Sequence, residues 1–273
     1  IQSLTLHETI SVTLTYDITD VNGATVSQTA TFTVTGTNDA PVVATALSAA
    51  AAEGDAVFTL DLLDGASDVD TSDVLTVSNV TGLTAGVTLD GTVLTVDPTD
   101  AAFDSLVAGA TEVITVSYDV TDGNGGTVAQ TATLTITGTN DAPVVDAALV
   151  IAGTEDVAQS FDLLSGASDV DAGETATLTI VDSSFEASVD GGTGSATLPS
   201  WLVRSGSTIT FLESDPTIQA LAVGETTAVL IVYEIEDAQG TRVAQTATLT
   251  ITGTNDAPVV AAALSDTVAE DAF

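Results

Sequence analysis

Acidic residues recur at corresponding places along this 273-residue chain, so carboxylate chemistry is the main chemistry that the sequence offers. Three Gly-Thr-Asn-Asp-Ala-Pro-Val-Val octets each carry an Asn-Asp pair, and an Asp-x-Asp motif follows the first two. A turn Asp and an early Glu recur as well. Oxygen ligands of this kind suit calcium, which takes about six to eight of them. The candidate ligands are Asn38, Asp39, Glu53, Asp68, Asp70, Asp122, Asn140, Asp141, Glu155, Asp169, Asp171, Asp237, Asn255 and Asp256.

The acids taken one at a time have a second explanation, because Asp and Asn favour loops for local hydrogen-bonding reasons. The charge balance has two explanations as well: 39 acidic residues accompany only two arginines, for a formal charge of −37. This charge provides either solubility in a salty medium or divalent cation binding. The combination of acids favours the cation, because carboxylates that meet at one junction repel one another without it.

The composition excludes several classes of function. A surface this acidic repels nucleic acids and anionic lipids, which are bound through Lys and Arg, and no apolar run is long enough to span a membrane. Cysteine is absent and His7 is the only histidine, which leaves little material for a thiol, a catalytic triad or a His-metal site. Paired carboxylates keep a glycosidase formally open, but one Trp and three Tyr provide little for a sugar-stacking cleft. We therefore expect no enzymatic activity.

The elements that position the acids follow from repetition and alternation. Asp39, Asp141 and Asp256 of the three octets lie 102 and 115 residues apart, which are domain-sized periods. Before the second octet, apolar residues alternate with polar ones in two runs, and this alternation predicts two half-buried strands joined by a glycine-rich hairpin turn at Asp122. About seven short strands per repeat and no amphipathic helix predict an all-β chain of tandem immunoglobulin-like Greek-key sandwiches in a linear array.

The octets also predict the domain boundaries, because their prolines hold the chain extended. A partial repeat cannot bury both faces of its sheet, so we expect a longer native protein or a neighbouring copy that completes the end segments. The predicted segments are the closing strands of a truncated repeat at 1–41, complete repeats at 42–143 and 144–258, and the opening strand of a further repeat at 259–273.

The second complete repeat is longer than the first, with the excess at about 181–214. This insertion contains the only tryptophan, Trp201, and one of the two arginines, Arg204. An aromatic beside a basic residue can contact a sugar or a protein. The favoured interpretation is that Trp201 fills the sandwich core.

The motifs ITGTNDAPVV, SDVDTSD and YDVTDGNGG, with the Glu after each octet, resemble the cadherin-like and VCBS repeats of large bacterial surface adhesins of the RTX or biofilm-associated type. The resemblance covers essentially the whole chain. It implies an extracellular protein whose neighbouring repeats share calcium ions. The linker lacks two acidic or amide residues of the cadherin pattern, so fewer ions per seam are expected. The implied seams are Asn38, Asp39, Asp68, Asp70 and Asp122 for the first, and Glu53, Asn140, Asp141, Asp169, Asp171 and Asp237 for the second.

The expected function is a calcium-stiffened extender or spacer at the bacterial cell surface, involved in cell adhesion or biofilm formation. Its partners are then the neighbouring repeats of the same chain, while a glycan or host ligand is bound by domains outside this segment. One alternative is a protomer of an extracellular filament or surface layer that completes its half-domains with other copies of itself. Another is a carbohydrate-binding module with the insertion as its site.

Overall fold

A computed structural model of the chain describes residues 2–258 together with 260, 262, 265 and 270. The chain divides into two compact units, Ile1–Asp141 and Ala142–Phe273. Across the described residues the regular structure consists of strands and two short 3-10 segments, and none of it is a helix long and apolar enough to cross a membrane. The predicted opening strand at 259–273 lies largely outside the described residues.

Unit 1 contains an antiparallel hairpin and a complete β-sandwich. The hairpin consists of β1 (Thr9–Thr19) and β2 (Thr25–Thr35). The strands of the sandwich are β3 (Val42–Val43), β4 (Leu47–Ala52), β5 (Phe58–Asp61), β6 (Ala66–Ser67), β7 (Thr76–Thr81), β8 (Val87–Asp90), β9 (Val93–Val96), β10 (Thr111–Thr121) and β11 (Thr127–Thr137). They form one sheet of order β4-β11-β10-β7, a second of order β5-β9-β8, and the short pair β3-β6. The pairing of β4 with β11 is parallel.

The core of this sandwich follows from the alternation in β10 and β11. Ile114, Val116 and Tyr118 of β10 are buried, as are Leu134 and Ile136 of β11, while the threonines between them lie on the opposite face. Successive side chains of a strand point to opposite faces of the sheet, so alternation places one set in the core. The all-β class and the sandwich architecture predicted from the sequence are confirmed.

The hairpin of β1 and β2 has the same alternation in a different environment. Val12, Leu14 and Phe32 are 56%, 55% and 60% exposed. Their counterparts in β10 and β11 are buried, because β4 and β7 flank that hairpin and the β5-β9-β8 sheet forms the other half of the sandwich. Within the described residues, β1 and β2 pair only with each other. The pattern therefore determines which side chains share a face, whereas burial requires the other strands.

Unit 2 repeats this sandwich. Its strands are β12 (Val144–Val145), β13 (Leu149–Thr154), β14 (Gln159–Asp162), β15 (Ala167–Ser168), β16 (Thr179–Ile180), β17 (Glu186–Val189), β18 (Leu202–Ser205), β19 (Thr208–Phe211), β20 (Thr226–Glu236) and β21 (Arg242–Thr252). The sheet orders are β13-β21-β20-β16 and β14-β19-β18, and β13 is again parallel to the last strand. The 3-10 segments are Glu174–Thr177 and Asp182–Ser184.

The insertion of the second repeat extends one sheet and contributes to the core. Its strand β17 pairs antiparallel with β20, beside β16. Trp201 is 3% exposed, and its ring meets Phe211 edge to face with the centroids 6.0 Å apart. Aromatic pairs favour this geometry because the positive edge of one ring meets the negative face of the other. Trp201 is therefore a core residue, the interpretation that the sequence favoured.

Candidate metal centres

An acidic cluster lies in unit 1 where the first octet, the Asp-x-Asp segment and the β10–β11 turn meet. Carboxylate oxygens of Asp68, Asp70 and Asp73 lie within 4.8 Å of one another. One oxygen of each (Asp68 Oδ2, Asp70 Oδ1 and Asp73 Oδ2) is buried without a hydrogen-bond partner in the part of the chain that the structure describes. Buried carboxylates are costly unless they are paired or bind a metal. The donor set is entirely oxygen, which fits a hard cation such as calcium.

Backbone amides hold this cluster in place. The Asp70 amide donates to Asp68 Oδ1 at 2.9 Å, which is a local Asx-type bond within the motif. The Asp39 amide donates to Asp70 Oδ2, also at 2.9 Å. Asp70 is 1% exposed, so its carboxylate joins the octet to the sandwich in a buried position. The side chain of Asp39 is exposed and does not belong to the cluster.

Asp122 of the β10–β11 turn organises the octet from the other side. Its Oδ2 accepts a hydrogen bond of 2.8 Å from Asn38 Nδ2, and its Oδ1 accepts from the amides of Asn124, Gly125 and Gly126. Burial raises the pKa of Asp122, but the hydrogen bonds outweigh burial and hold it below its usual value. A side chain at position 126 would place its Cβ 2.1 Å from Asp122 Oδ2, so the turn requires glycine there. Asn38 Oδ1 is buried and has no hydrogen-bond partner within the described part of the chain.

The structure therefore gives the five residues predicted for the first seam different places. Asp68 and Asp70 lie together in the cluster, and the buried Asn38 Oδ1 is a further candidate ligand. Asp122 lies outside the Asp68 cluster, and its two oxygens accept hydrogen bonds from Asn38 and from the turn. Its predicted role as a calcium ligand stays a prediction. Sequence reasoning missed Asp73. Its signal was the third acid of SDVDTSD, which has a counterpart in the third acid of SDVDAGE.

Unit 2 contains a corresponding cluster of Asp169, Asp171 and Glu174, whose oxygens lie within 4.8 Å of one another. The Asp171 amide donates to Asp169 Oδ1 at 3.0 Å, as in unit 1. Asp169 Oδ2 and Glu174 Oε2 are buried without hydrogen-bond partners in the described part of the chain. Burial raises the pKa of Asp169, and the charges of Asp171 and Asp237 raise it further. Asp237 has the same place as Asp122, since its Oδ1 accepts from the amides of its own turn.

A third acidic group lies at the third octet, within unit 2. It combines Glu155, Asp156 and Asp256, again within 4.8 Å. Glu155 is fully buried, with Oε1 accepting from the Thr254 amide and Oε2 lacking a partner among the described residues. Asp156 Oδ2 accepts from Thr254 Oγ1, and this bond lowers the pKa of Asp156. Sequence reasoning selected Glu155 and Asp256 but missed Asp156.

The residues predicted for the second seam belong to two units: Glu53, Asn140 and Asp141 to unit 1, and the others to unit 2. In unit 1, Glu53 Oε2 accepts from the Thr139 amide at 3.0 Å, and Asn140 Nδ2 donates to the Asp141 carbonyl at 2.8 Å. Asn255 makes the corresponding bond to the Asp256 carbonyl at 3.2 Å. The Glu after the octet therefore binds the backbone of the next octet in both repeats. Its neighbour differs, because Gly54 follows Glu53 where Asp156 follows Glu155.

The insertion does not present the aromatic surface that a sugar site would use. Trp201 is buried, so its face cannot stack on a sugar ring. Phe185 is buried as well, and the Arg204 guanidinium lies over its ring at 4.6 Å from the centroid. Arg204 also pairs with Asp182 at 2.7 Å. These contacts hold Arg204 within the fold.

Solved structures match most of this chain, whereas the family model matches only the first complete sandwich. Similar solved structures include protocadherin gamma B7 domains 1–4 (17% identity, 96% of this chain and 63% of that one, TM-score 0.40) and human protocadherin-24 domains 1–2 (17%, 81% and 100%, 0.44). This chain thus spans 63% of the length of the protocadherin gamma B7 chain. No curated protein sequence matches it. Residues 37–137 match the family model of the cadherin-like domain, and they comprise the first octet except Gly36, the Asp68 cluster and the complete sandwich of unit 1.

Proposed function

We propose that this chain is a calcium-stiffened, non-catalytic spacer segment of an extracellular adhesion protein, of the type that extends bacterial surface adhesins in cell adhesion or biofilm formation. The observation that carries the proposal is the set of buried carboxylate oxygens without partners in the Asp68 cluster. No Lys or Arg side chain of unit 1 pairs with them, because the chain has only two such residues, Arg204 and Arg242, and both are in unit 2. The match of residues 37–137 to the cadherin-like domain supports an adhesion or spacer role.

Stiffening follows from where the ligands originate. In unit 1 the octet contributes the Oδ1 of Asn38, while the sandwich contributes Asp68, Asp70 and Asp73. The Asp39 amide does not bind the ion, but it donates to Asp70 and so holds the octet against the cluster. An ion bound to both parts joins the octet to the sandwich. By the same repeat pattern, we propose Glu53, Asn140 and Asp141 as further calcium ligands of unit 1, and Asp169, Asp171 and Asp237 as calcium ligands of unit 2. The Glu155 group at the third octet is assigned to calcium on its unpartnered buried oxygen.

Small-angle scattering and calorimetry of the whole chain test the proposal. Extracellular calcium modules bind at about 10⁻⁴ to 10⁻³ M, so millimolar calcium stabilises each occupied site by about 1 to 3 kcal/mol. We expect chelation to lower the melting temperature and to change the maximum dimension of the chain. The control is the double variant Asp64→Ala with Asp90→Ala, which removes two exposed carboxylates and keeps the calcium response. The proposal is contradicted if the melting temperature and the maximum dimension of the unmutated chain do not change with calcium.

A second candidate function, a protomer of an extracellular filament or surface layer, is favoured by the β1–β2 hairpin. Its apolar face is open, whereas the equivalent faces of both complete repeats are covered. A contact with other copies covers that face and weakens when Leu14→Asp and Phe32→Asp place charges on it. Thr13→Asp with Thr31→Asp on the opposite face is the matched control. Sedimentation velocity over a range of concentrations separates the two, and a chain that stays monomeric in calcium contradicts the filament.

A further inference from the structure

Both Asp-x-Asp clusters contain a third carboxylate that is tied to the hairpin turn of its own sandwich. In unit 1, Asn124 Nδ2 donates to Asp73 Oδ1 at 3.0 Å. In unit 2, Gln239 Nε2 donates to Glu174 Oε1 at 2.6 Å. The second oxygen of each acid, Asp73 Oδ2 and Glu174 Oε2, is buried and has no hydrogen-bond partner among the described residues. One oxygen is thus held by an amide while the other lies in the cluster.

The Asn124–Asp73 pair and the Gln239–Glu174 pair occupy equivalent positions, and both side chains are one methylene longer in the second pair. Asp73 and Glu174 each follow the first Asp of their motif by five residues, and Asn124 and Gln239 each follow the turn Asp by two. The shorter acid binds the shorter amide, and the longer acid binds the longer amide. A carboxamide donates through its nitrogen, so it satisfies one carboxylate oxygen and leaves the other with its lone pairs available. The same bond occurs twice with different side chains, which indicates a shared task.

We propose that Asp73 and Glu174 coordinate the bound cation directly and that Asn124 and Gln239 are positioning residues that hold them in the coordinating orientation. The proposal rests on the calcium function proposed above. It also rests on burial, because Asp73 Oδ2 and Glu174 Oε2 are buried and lack a hydrogen-bond partner among the described residues. Glu174 as a whole is 6% exposed, and Asp70, which lies beside Asp73 in the unit 1 cluster, is 1% exposed. Groups that orient metal ligands by hydrogen bonds typically change metal affinity 10- to 100-fold when they are removed. The two turn residues therefore affect calcium affinity through the acids that they orient and do not contact the ion.

Calorimetric titration of calcium into the full-length chain tests this assignment. In a background that carries Asp169→Ala and Asp171→Ala, the unit 1 site is observed separately from its unit 2 counterpart. We expect Asp73→Ala to weaken calcium binding at least tenfold and Asn124→Ala to weaken it about tenfold. The matched control is Asp119→Ala, because Asp119 also accepts a bond from an asparagine amide, Asn79 Nδ2, at 2.8 Å and lies outside the cluster.

A merely structural role for Asp73 predicts a different result. If Asp73 is a ligand, removing it relieves repulsion in the cluster, so calcium affinity falls while the melting temperature in chelator stays unchanged or rises. If Asp73 only supports the fold, its removal lowers the melting temperature in chelator. The isosteric variant Asp73→Asn keeps the shape of the side chain and is expected to act in the same direction. Calcium affinities of Asp73→Ala and Asp73→Asn within twofold of the Asp119→Ala control overturn the inference while the calcium function stands. An unmutated chain that binds no calcium overturns both.

Discussion

The two complete repeats fill the same interior space with aromatic rings from different positions. Trp201 precedes β18, and its carbonyl accepts from the Leu212 amide at 2.8 Å. Gly86 precedes β8, and its carbonyl accepts from the Asp97 amide at the same distance. Trp201 and Gly86 are therefore equivalent, although one is the largest residue and the other the smallest.

The difference at this position is balanced elsewhere in the core. Phe103 of unit 1 is buried, and a Cβ added at Gly86 would lie 2.5 Å from its Cε2. The equivalent of Phe103 in unit 2 is the smaller Ile218, which is also buried. Interiors are close-packed, so a large residue at one position requires a small one at its neighbour. The Phe103/Ile218 difference offsets part of the Gly86/Trp201 difference, and the aromatic ring comes from a different position in each repeat.

The largest expected effect is the loss of Trp201. We expect Trp201→Ala to lower the free energy of unfolding by about 3 to 5 kcal/mol, because it leaves a cavity beside Phe211. Chemical denaturation followed by far-ultraviolet circular dichroism measures the change. A loss below about 1 kcal/mol would mean that Trp201 is not a core residue.

A double variant tests whether the position of Trp201 and the position of Ile218 share one space in the core of unit 2. Trp201→Gly together with Ile218→Phe recreates in unit 2 the pair that unit 1 uses. We expect the two changes to be coupled by about 0.5 to 3 kcal/mol, so that the double variant is more stable than the sum of the single variants predicts. Strict additivity would show that the two positions do not share one space.

Removing the acidic clusters one at a time tests whether each unit has its own calcium response. Asp68→Ala with Asp70→Ala is expected to abolish the calcium stabilisation of unit 1, about 1 to 3 kcal/mol at millimolar calcium, and to leave unit 2 responsive. Asp169→Ala with Asp171→Ala is expected to remove the contribution of the Asp169 cluster in unit 2 and to leave unit 1 and the Glu155 group responsive. Differential scanning calorimetry with calcium and with chelator measures both. If either double variant removes the response of both units, the two sites are not independent.

The buried tyrosines of the two repeats differ by one hydrogen bond. Tyr233 Oη donates to the Leu163 carbonyl at 2.6 Å, whereas Tyr118 Oη is buried and has no hydrogen-bond partner among the residues that the structure describes. We expect Tyr233→Phe to destabilise unit 2 by about 1 kcal/mol and Tyr118→Phe to be neutral or slightly stabilising, because only the first change removes a made bond. Equal effects in urea denaturation of the two variants would contradict the difference.

The smallest expected effect is a difference in pH dependence. The pKa of Asp169 is raised by burial and by the charges of Asp171 and Asp237, so falling pH protonates it early and protons displace calcium from the unit 2 cluster first. Without calcium, the raised pKa contributes stability that is present at low pH and is lost as the pH rises through the folded-state value. The lowered pKa of Asp122 acts in the opposite direction in unit 1, where stability is lost as the pH falls.

Calcium titrations at about pH 7 and about pH 5 measure this difference, because a carboxyl group with a raised pKa is protonated at a higher pH than an ordinary one. The affinity of the unit 2 site is expected to fall more steeply than that of the unit 1 site, with the two double-Ala backgrounds used to observe each site alone. A steeper loss at the unit 1 site would contradict the assignment of the raised pKa to Asp169.

The sequence by itself determined the features that depend on local geometry. The alternation in 111–137 predicted which side chains share a face, because a strand has a period of two. The octets predicted the repetition, and the glycine-rich turns predicted hairpins, because positive φ angles favour glycine. The Asp-x-Asp motifs also indicated the cation chemistry, since Asp68 and Asp70 are close enough in the chain to point to one place.

Only the tertiary structure decided the features that depend on distant segments. Leu14 and Val116 have the same pattern around them, but Val116 is buried because other strands cover it. Asp73 joins the cluster while Asp122 supports a turn, and this division is set by the meeting of the octet, the Asp-x-Asp loop and the β10–β11 turn. The aromatic ring comes from Phe103 in unit 1, beside Gly86, and from Trp201 in unit 2, and this difference follows from close packing across the core. Spacing in the chain carries no information about such contacts, because packing acts between side chains that are far apart in sequence.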